Sequence, residues 1–266
     1  MRSDKSPMKG FLSIGMIMIF TLILLFPLVS SLYEETSELK KIEEKLYIDQ
    51  NPSIVQIDAG AFHTCAILDD GSVSCWGEND VGQLGDGTNT NRNTPTLTSI
   101  LGSGRTAVAI AVGYYHTCAI LDDGSVSCWG DNYNGQLGDG TNTQSLTPIQ
   151  TSSLGEGRTA VAIDAGNDHT CAILDDGSVS CWGGNAYAQL GDKTETEAGI
   201  DNDRNTPTQT SSLGTNRTAV AISTGDHHSC AILDDGSVSC WGYNKYGQFG
   251  DGTTTDRNTP TQTSSL

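Results

Sequence analysis

The stretch HTCAILDDGSVSCWG, residues 63–77, is the repeated unit from which the fold of this chain can be inferred. It holds two cysteines ten positions apart around an Asp-Asp-Gly turn, and it recurs almost letter for letter at 116–130, 169–183 and, with Ser for Thr, 228–242. The first cysteines of successive copies are 53, 53 and 59 residues apart. A fixed period of this length is typical of repeated supersecondary units, each of which buries its apolar face only against a neighbour.

Each repeat contains four segments with the composition of short β-strands, separated by turn sequences such as GQLGDGTNT. In the third repeat these segments are TAVAIDAG (159–166), HTCAIL (169–174), SVSCWG (178–183) and TPTQTS (206–211). Four antiparallel strands in about 50 residues predict one blade of a propeller. The chain is therefore predicted to be all-β, a β-propeller of four-stranded antiparallel blades. The four predicted repeats cover about residues 54–98, 107–151, 160–211 and 219–266.

One longer stretch, GAFHTCAILDDGSVSCWGENDVGQLGDGT at 60–88, resembles the repeat of the regulator of chromosome condensation family. The shared order is Gly, His-Ser/Thr, an apolar pair, Asp-Gly, Trp-Gly, Asn and Gly-Gln-Leu-Gly. The resemblance recurs in all four repeats and spans about 54–266. It implies a β-propeller, commonly of seven blades. Members of the family include a nuclear exchange factor that binds chromatin and a secreted bacterial propeller that inhibits β-lactamases.

The net charge of −18 is spread through the repeats, because six of the 14 Lys and Arg residues precede residue 51 and only eight follow it. Proteins bind nucleic acid backbones through cations that displace counterions. An acidic surface repels such a backbone, so we expect no nucleic acid partner and no chromatin-binding exchange activity. The acidity is typical of a soluble surface.

The amino end predicts export. Residues 11–29, FLSIGMIMIFTLILLFPLV, form an uncharged apolar run with cations on its amino side, which favours leaving that end in the cytoplasm. Residues 1–32 are therefore predicted to be a transmembrane anchor, or a signal peptide if the segment is cleaved. In the first case the propeller is anchored outside the cytoplasm, and in the second it is secreted. Contact with the membrane is expected through this segment alone.

Residues 33–53 are predicted to be a stalk or linker. Leu39, Ile42 and Leu46 fall at helical spacing among alternating charges, which indicates a short solvated helix ended by Pro52.

The phase of the repeats leaves two alternatives open. The first repeat begins at IVQIDAG (54–60) without a preceding outer strand, whereas the sequence ends on such a strand, TPTQTSSL (259–266). In the first alternative this final strand completes the first blade and closes a four-bladed ring. In the second alternative the repeats are part of a longer array and form an open arc, which leaves room for a homo-oligomer.

The cysteine spacing predicts disulfides across the hairpins. A three-residue loop, 69–71, pairs Leu68 with Ser72 and places Cys65 opposite Cys75 at a Cα separation of about 4.5 Å, which a disulfide accepts. Export to an oxidising space preserves such bonds. The predicted pairs are Cys65 with Cys75, Cys118 with Cys128, Cys171 with Cys181, and Cys230 with Cys240.

Zinc is the alternative explanation of the cysteines. His63 and Cys65 lie two apart on one strand face and Cys75 faces them, so three ligands converge in each blade. A fourth ligand is not evident, so disulfides are preferred and we expect no metal and no cofactor. A cysteine nucleophile is disfavoured, because four equivalent copies with bonded partners leave no single activated thiolate.

The positions that differ between repeats are candidates for recognition. The recurring tryptophans, Trp76, Trp129, Trp182 and Trp241, are interpreted as core packing. Variation is concentrated in two turns of each repeat. One precedes the histidine that begins each copy of the opening stretch, which we call the repeat histidine, and the other follows Trp-Gly. Several of the varying residues are aromatic. Loops of this composition on a rigid scaffold are typical recognition surfaces, although neutral drift is the alternative. The predicted binding residues are Phe62, Tyr114, Tyr115, Tyr133, Tyr187, His227, Tyr243 and Tyr246.

The third repeat carries an insertion, KTETEAGIDNDRN at 193–205. Its acidic residues suit calcium, but no EF-hand spacing is present, so a solvated loop is predicted. Asn216 begins a glycosylation sequon.

Taken together, these patterns predict a binding module, with no enzymatic activity, whose partner is a protein or another surface macromolecule. A propeller hydrolase or lyase with a site in the central funnel is the first alternative. A structural cell-surface element is the second.

Overall fold

The computed structural model describes Thr36, Lys40, residues 52–194 and residues 202–264. It divides the chain into two compact units, Met1–Pro52 and Ser53–Leu266. The predicted export segment and the centre of the insertion lie outside the described residues, as does most of the stalk, where Thr36 and Lys40 are helical. In the described part of the chain, no helix has the length and apolar character needed to span a bilayer.

The repeats fold into four antiparallel sheets, each of four strands paired in chain order. We call these sheets blade 1 (β1–β4), blade 2 (β5–β8), blade 3 (β9–β12) and blade 4 (β13–β16). The strands are β1 (Ile54–Ala59), β2 (His63–Leu68), β3 (Val73–Gly77), β4 (Arg92–Leu97), β5 (Ala107–Val112), β6 (His116–Leu121), β7 (Val126–Gly130), β8 (Ser145–Gln150), β9 (Ala160–Ala165), β10 (His169–Leu174), β11 (Val179–Gly183), β12 (Arg204–Gln209), β13 (Ala219–Thr224), β14 (His228–Leu233), β15 (Val238–Gly242) and β16 (Arg257–Gln262).

The Asp-Asp-Gly turn fixes the register of the central hairpin in each blade. In blade 1 the Leu68 amide donates to the Ser72 carbonyl at 2.9 Å, and Gly71 donates back to the Leu68 carbonyl at 2.9 Å. Gly71 has φ +76°, a conformation that suits glycine. The predicted turn is therefore present, and it places Cys65 directly opposite Cys75.

Four disulfides join the pairs that the spacing predicts, with a Cα separation of 4.1 Å in each. The bonds are Cys65–Cys75, Cys118–Cys128, Cys171–Cys181 and Cys230–Cys240. Every one of the eight cysteine sulfurs is bonded to another, which supports the disulfide interpretation of the spacing.

The outermost strands differ from prediction in two ways. In blade 3 this strand runs over Arg204–Gln209, two residues earlier than the predicted 206–211. The final strand, β16, pairs with β15 of its own blade, and blade 1 has its own outer strand, β4. The alternative in which the final strand completes the first blade is therefore wrong, because β4 already occupies the hydrogen-bonding edge of β3.

The core lies between successive blades. The first strands contact one another in the order β1, β5, β9, β13. Trp129 of blade 2 is fully buried and its indole Nε1 donates to the Gln83 carbonyl of blade 1 at 3.0 Å. Trp182 and Trp241 are also fully buried, which confirms the interpretation of the tryptophans as core, whereas Trp76 in blade 1 is half-buried.

Candidate functional site

The two variable turns of each repeat meet at one end of the blade. In every blade the backbone amide of the residue after Trp-Gly donates to the carbonyl of the residue before the repeat histidine. The four bonds are Glu78 to Phe62 at 3.0 Å, Asp131 to Tyr115 at 2.9 Å, Gly184 to Asp168 at 2.7 Å and Tyr243 to His227 at 2.9 Å. The positions that vary in sequence therefore form one rigidly supported set of loops.

Buried histidines lie beneath these loops and join the blades. The Nε2 atoms contact a hydroxyl of the next blade: His63 with Thr117 at 2.8 Å, His116 with Thr170 at 2.9 Å and His169 with Ser229 at 2.9 Å. Burial lowers the pKa of His63 to about 4, and burial lowers the pKa of His116 and of His169 to about 3. The three imidazoles are therefore neutral at physiological pH, and their role is structural, since they join successive blades.

Phe62, Tyr114 and Tyr115 form the first aromatic cluster, which spans blades 1 and 2. Phe62 packs edge-on against Tyr114 at a centroid distance of 5.0 Å and stacks on Tyr115 at 5.7 Å. The two tyrosine rings lie 4.7 Å apart. Phe62 remains 47% exposed, so the cluster presents apolar area to solvent while each ring restrains the others.

Tyr187, His227, Tyr243 and Tyr246 form the second aromatic cluster, which spans blades 3 and 4. Tyr187 lies 4.6 Å from His227 and 5.0 Å from Tyr243 between ring centroids, and Tyr243 lies 6.0 Å from Tyr246. Tyr246 is 86% exposed. This cluster contains both apolar ring faces and hydrogen-bonding groups, because tyrosine hydroxyls and an imidazole are present.

Seven of the eight predicted binding residues thus fall into two clusters, and Tyr133 stands apart from both at 80% exposed. The predicted set omits Asp168, whose carboxylate accepts from Gln189 Nε2 at 3.3 Å. Burial raises the pKa of Asp168, and the charge of His227 opposes that shift. The sequence contained one signal that could have identified Asp168, which is its position. It directly precedes the repeat histidine, where the other blades carry aromatic rings.

Comparison with known families identifies the class. The family model for the RCC1-like domain matches residues 31–266, and the chain therefore belongs to this family of β-propellers.

Individual relatives are similar in sequence to this chain over most of its length. The chain is 30% identical to the Arabidopsis thaliana ultraviolet-B receptor UVR8 over 219 residues, which are 82% of this chain and 48% of UVR8. It is 32% identical to the human E3 ubiquitin-protein ligase HERC2 over 78% of this chain and 4% of HERC2. The chain thus spans about half of UVR8 and a small part of HERC2.

Solved structures share the fold at lower identity. Human WBSCR16 superposes with a TM-score of 0.70 at 22% identity, covering 81% of this chain and 54% of that one. Yeast RCC1 (Prp20), solved with Kap60, superposes with a TM-score of 0.68 at 22% identity, covering 81% of this chain and 50% of that one.

Proposed function

We propose that this chain is a binding module of the cell exterior, which holds a protein or another surface macromolecule through its two aromatic clusters. The observation that carries the proposal is the position of the rings: seven predicted residues from separate repeats gather at the loop end, with Phe62 47% and Tyr246 86% exposed. Tyrosine and phenylalanine supply large contact areas at low cost in conformational entropy, which makes them frequent anchors in protein interfaces.

Two further features support a protein partner. The net charge of −18 disfavours nucleic acid, because anionic backbones are repelled. Propellers of this fold also take protein partners, since yeast Prp20 was solved with Kap60 and its binding to Gsp1p and histones is described.

The proposed compartment rests on the cysteines and on the amino end. Four disulfides are characteristic of proteins in oxidising spaces. The apolar run at 11–29 is the segment proposed to deliver the repeats there, as an anchor or as a cleaved signal. Intact-mass measurement of the mature protein distinguishes these two, because cleavage removes about 30 residues.

The binding proposal is tested by comparing partners captured from the outer surface of the producing cells. The full chain is solubilised in nonionic detergent, and bound proteins are quantified by mass spectrometry. The test variant carries Tyr114→Ala, Tyr115→Ala and Tyr243→Ala. The matched control carries Val108→Ala and Val220→Ala, which remove apolar groups that are 59% and 60% exposed outside the clusters.

We expect partners that are retained by the wild type and the valine control and lost at least tenfold in the tyrosine variant, since truncating an interface anchor costs more than 1 kcal/mol. An unchanged set of partners in the tyrosine variant would contradict the proposal.

A further inference from the structure

One glutamine of each blade follows the second variable turn and folds back on it. Its side-chain oxygen accepts from the backbone amide two residues earlier, at 3.1 Å for Gln83 and at 2.9 Å for Gln136, Gln189 and Gln248. This bond fixes the orientation of the side-chain amide, because the flipped amide would set its NH₂ group against a backbone N–H. Nε2 is therefore the atom that is left to bond with neighbouring side chains.

Blades 2 and 3 supply this Nε2 atom with a carboxylate. Gln136 donates to Oδ2 of Asp131 at 2.8 Å, and Asp131 directly follows Trp-Gly. Gln189 donates to Oδ1 of Asp168 at 3.3 Å, and Asp168 directly precedes the repeat histidine. In both blades the amide therefore points at the two variable turns, and an acceptor from one of them satisfies it.

Blade 1 leaves the same donor unpaired. Gln83 is fully buried, and its Nε2 has no hydrogen-bond partner among the residues that the structure describes. The residue equivalent to Asp131 is Glu78, whose Oε2 is buried and has no partner among those residues either. Glutamate is one methylene longer than aspartate, so its carboxylate does not take the position that accepts the bond in blade 2. We call these two residues the Glu78–Gln83 pair.

The first aromatic cluster lies beside this pair. The Glu78 amide donates to the Phe62 carbonyl at 3.0 Å, which holds the two variable turns of blade 1 together. Desolvation raises the pKa of Tyr115, and the negative charge of nearby Glu78 raises it further. The rings of Tyr114 and Tyr115 come from blade 2. The site therefore lies at the junction of blades 1 and 2 and combines ring faces with two buried, unpaired polar atoms.

The two unpaired atoms select a group that both accepts and donates a hydrogen bond. Gln83 Nε2 requires an acceptor, whereas the ionised carboxylate of Glu78 requires a donor. An ammonium group only donates and a carboxylate only accepts, so neither satisfies both atoms. A hydroxyl group does both. Water is the competing occupant, which a ligand hydroxyl replaces without loss when it makes the same two bonds.

We propose that the Glu78–Gln83 pair binds one hydroxyl of a neutral saccharide, whose ring packs on the first aromatic cluster. A pyranose combines an apolar C–H face with several neighbouring hydroxyls, and the phenol groups of Tyr114 and Tyr115 both donate and accept. The net charge of −18 disfavours an anionic sugar. The inference rests on the proposed function and names the class of surface macromolecule that the first aromatic cluster takes.

Glu78→Asp tests the proposal because it should close the site. The shortened carboxylate should accept from Gln83 as Asp131 does from Gln136, which leaves no unpaired group for a ligand. The full chain, in a polyoxyethylene detergent that carries no sugar, is screened against neutral oligomers of glucose, mannose, galactose and N-acetylglucosamine. Oligomers of galacturonic acid and of glucosamine are the anionic and cationic probes. The neutral oligomer that binds best is then titrated by calorimetry.

We expect the wild type to bind a neutral oligomer and Glu78→Asp to bind it at least about tenfold more weakly. The free energy of unfolding of this variant should be no lower than that of the wild type, because the variant satisfies a buried donor. The matched control is Asp80→Asn, which removes an exposed charge that also acts on Tyr115. It should bind within about twofold of the wild type, because it leaves the Glu78–Gln83 pair unchanged.

Three results would overturn the proposal: no binding of any neutral oligomer, equal binding by Glu78→Asp, or a preference for glucosamine oligomers that Asp80→Asn removes. Capture of surface proteins separates this failure from failure of the proposed function. Protein partners that Glu78→Asp retains and the tyrosine variant loses would uphold the proposed function alone. Protein partners lost with Glu78→Asp, in the absence of saccharide binding, would assign the pair to a serine or threonine hydroxyl and overturn the saccharide.

Discussion

The buried histidines predict that this propeller loses stability in mild acid. His63, His116 and His169 are neutral in the folded chain because burial lowers their pKa values to about 4, 3 and 3. In the unfolded chain an imidazole has a pKa of about 6.5. Between pH 7 and pH 5 the unfolded state therefore takes up protons that the native state cannot, and the free energy of unfolding falls with falling pH.

The size of this loss in stability follows from the difference between the pKa values of the histidines in the unfolded and native states. For a histidine whose native pKa is about 3 or 4, lowering the pH from 7 to 5 removes about 2 kcal/mol. The three together give about 6 kcal/mol, a large fraction of the stability of an ordinary domain. Other buried groups modify this figure in both directions. Burial raises the pKa of Asp164 and of Asp168, and these carboxyls oppose the loss. Burial also lowers the pKa of His228, which adds to the loss.

Denaturant unfolding followed by tryptophan fluorescence measures this effect at pH 7 and pH 5, with the disulfides intact and the protein concentration fixed. His116→Asn should lower the stability at pH 7 through lost packing, yet it should reduce the loss between the two pH values by about one third. The matched control is Asp123→Asn. Hydrogen bonds from Ser125 lower the pKa of Asp123, so that carboxylate is ionised at both pH values and its removal should have the same effect at each. A free energy of unfolding at pH 5 within about 1 kcal/mol of its value at pH 7 would contradict this prediction.

Three further predictions concern the framework and use the same unfolding assay. Replacing the Cys171–Cys181 bond with a pair of serines should cost about 3 kcal/mol, because it releases a loop closed at a separation of ten residues; no loss would contradict this. Asn132→Ala should cost about 2–4 kcal/mol, because the buried amide donates to acceptors on Asp139, Thr141 and Thr143 and accepts from the Leu137 backbone amide. Asn142→Ala on the exposed side should cost under about 1 kcal/mol. Gly138→Ala should cost more than about 2 kcal/mol, since its φ is +67° and its Cβ would lie 2.8 Å from an indole of the next blade; a neutral effect would disprove that contact.

The hairpins and their disulfides could be predicted because their causes are local. The Asp-Asp-Gly loop fixes which residues of the two strands face each other, so the position of Cys65 opposite Cys75 follows from counting along the chain. The period of the repeats then indicates that these units stack, since a single blade cannot bury both of its faces. The family resemblance follows from the same motif.

The pairing of the last strand could not be read from the repeats. Sequence phase alone allows β16 to join either blade 1 or its own blade, and hydrogen bonding at the sheet edge decides between them. Likewise, Trp76 and Trp182 have the same sequence context, yet only Trp182 is fully buried, because a preceding blade covers it.

The form of a single blade follows from the sequence alone, because turn chemistry and strand alternation act over a few residues. The sequence also marks the residues that differ between repeats. Which of those residues meet depends on how the blades pack: Tyr187 and His227 come from different blades and touch because the blades stack in chain order. Contacts of this kind depend on the distance between elements that lie far apart in the chain, and no local pattern encodes that distance.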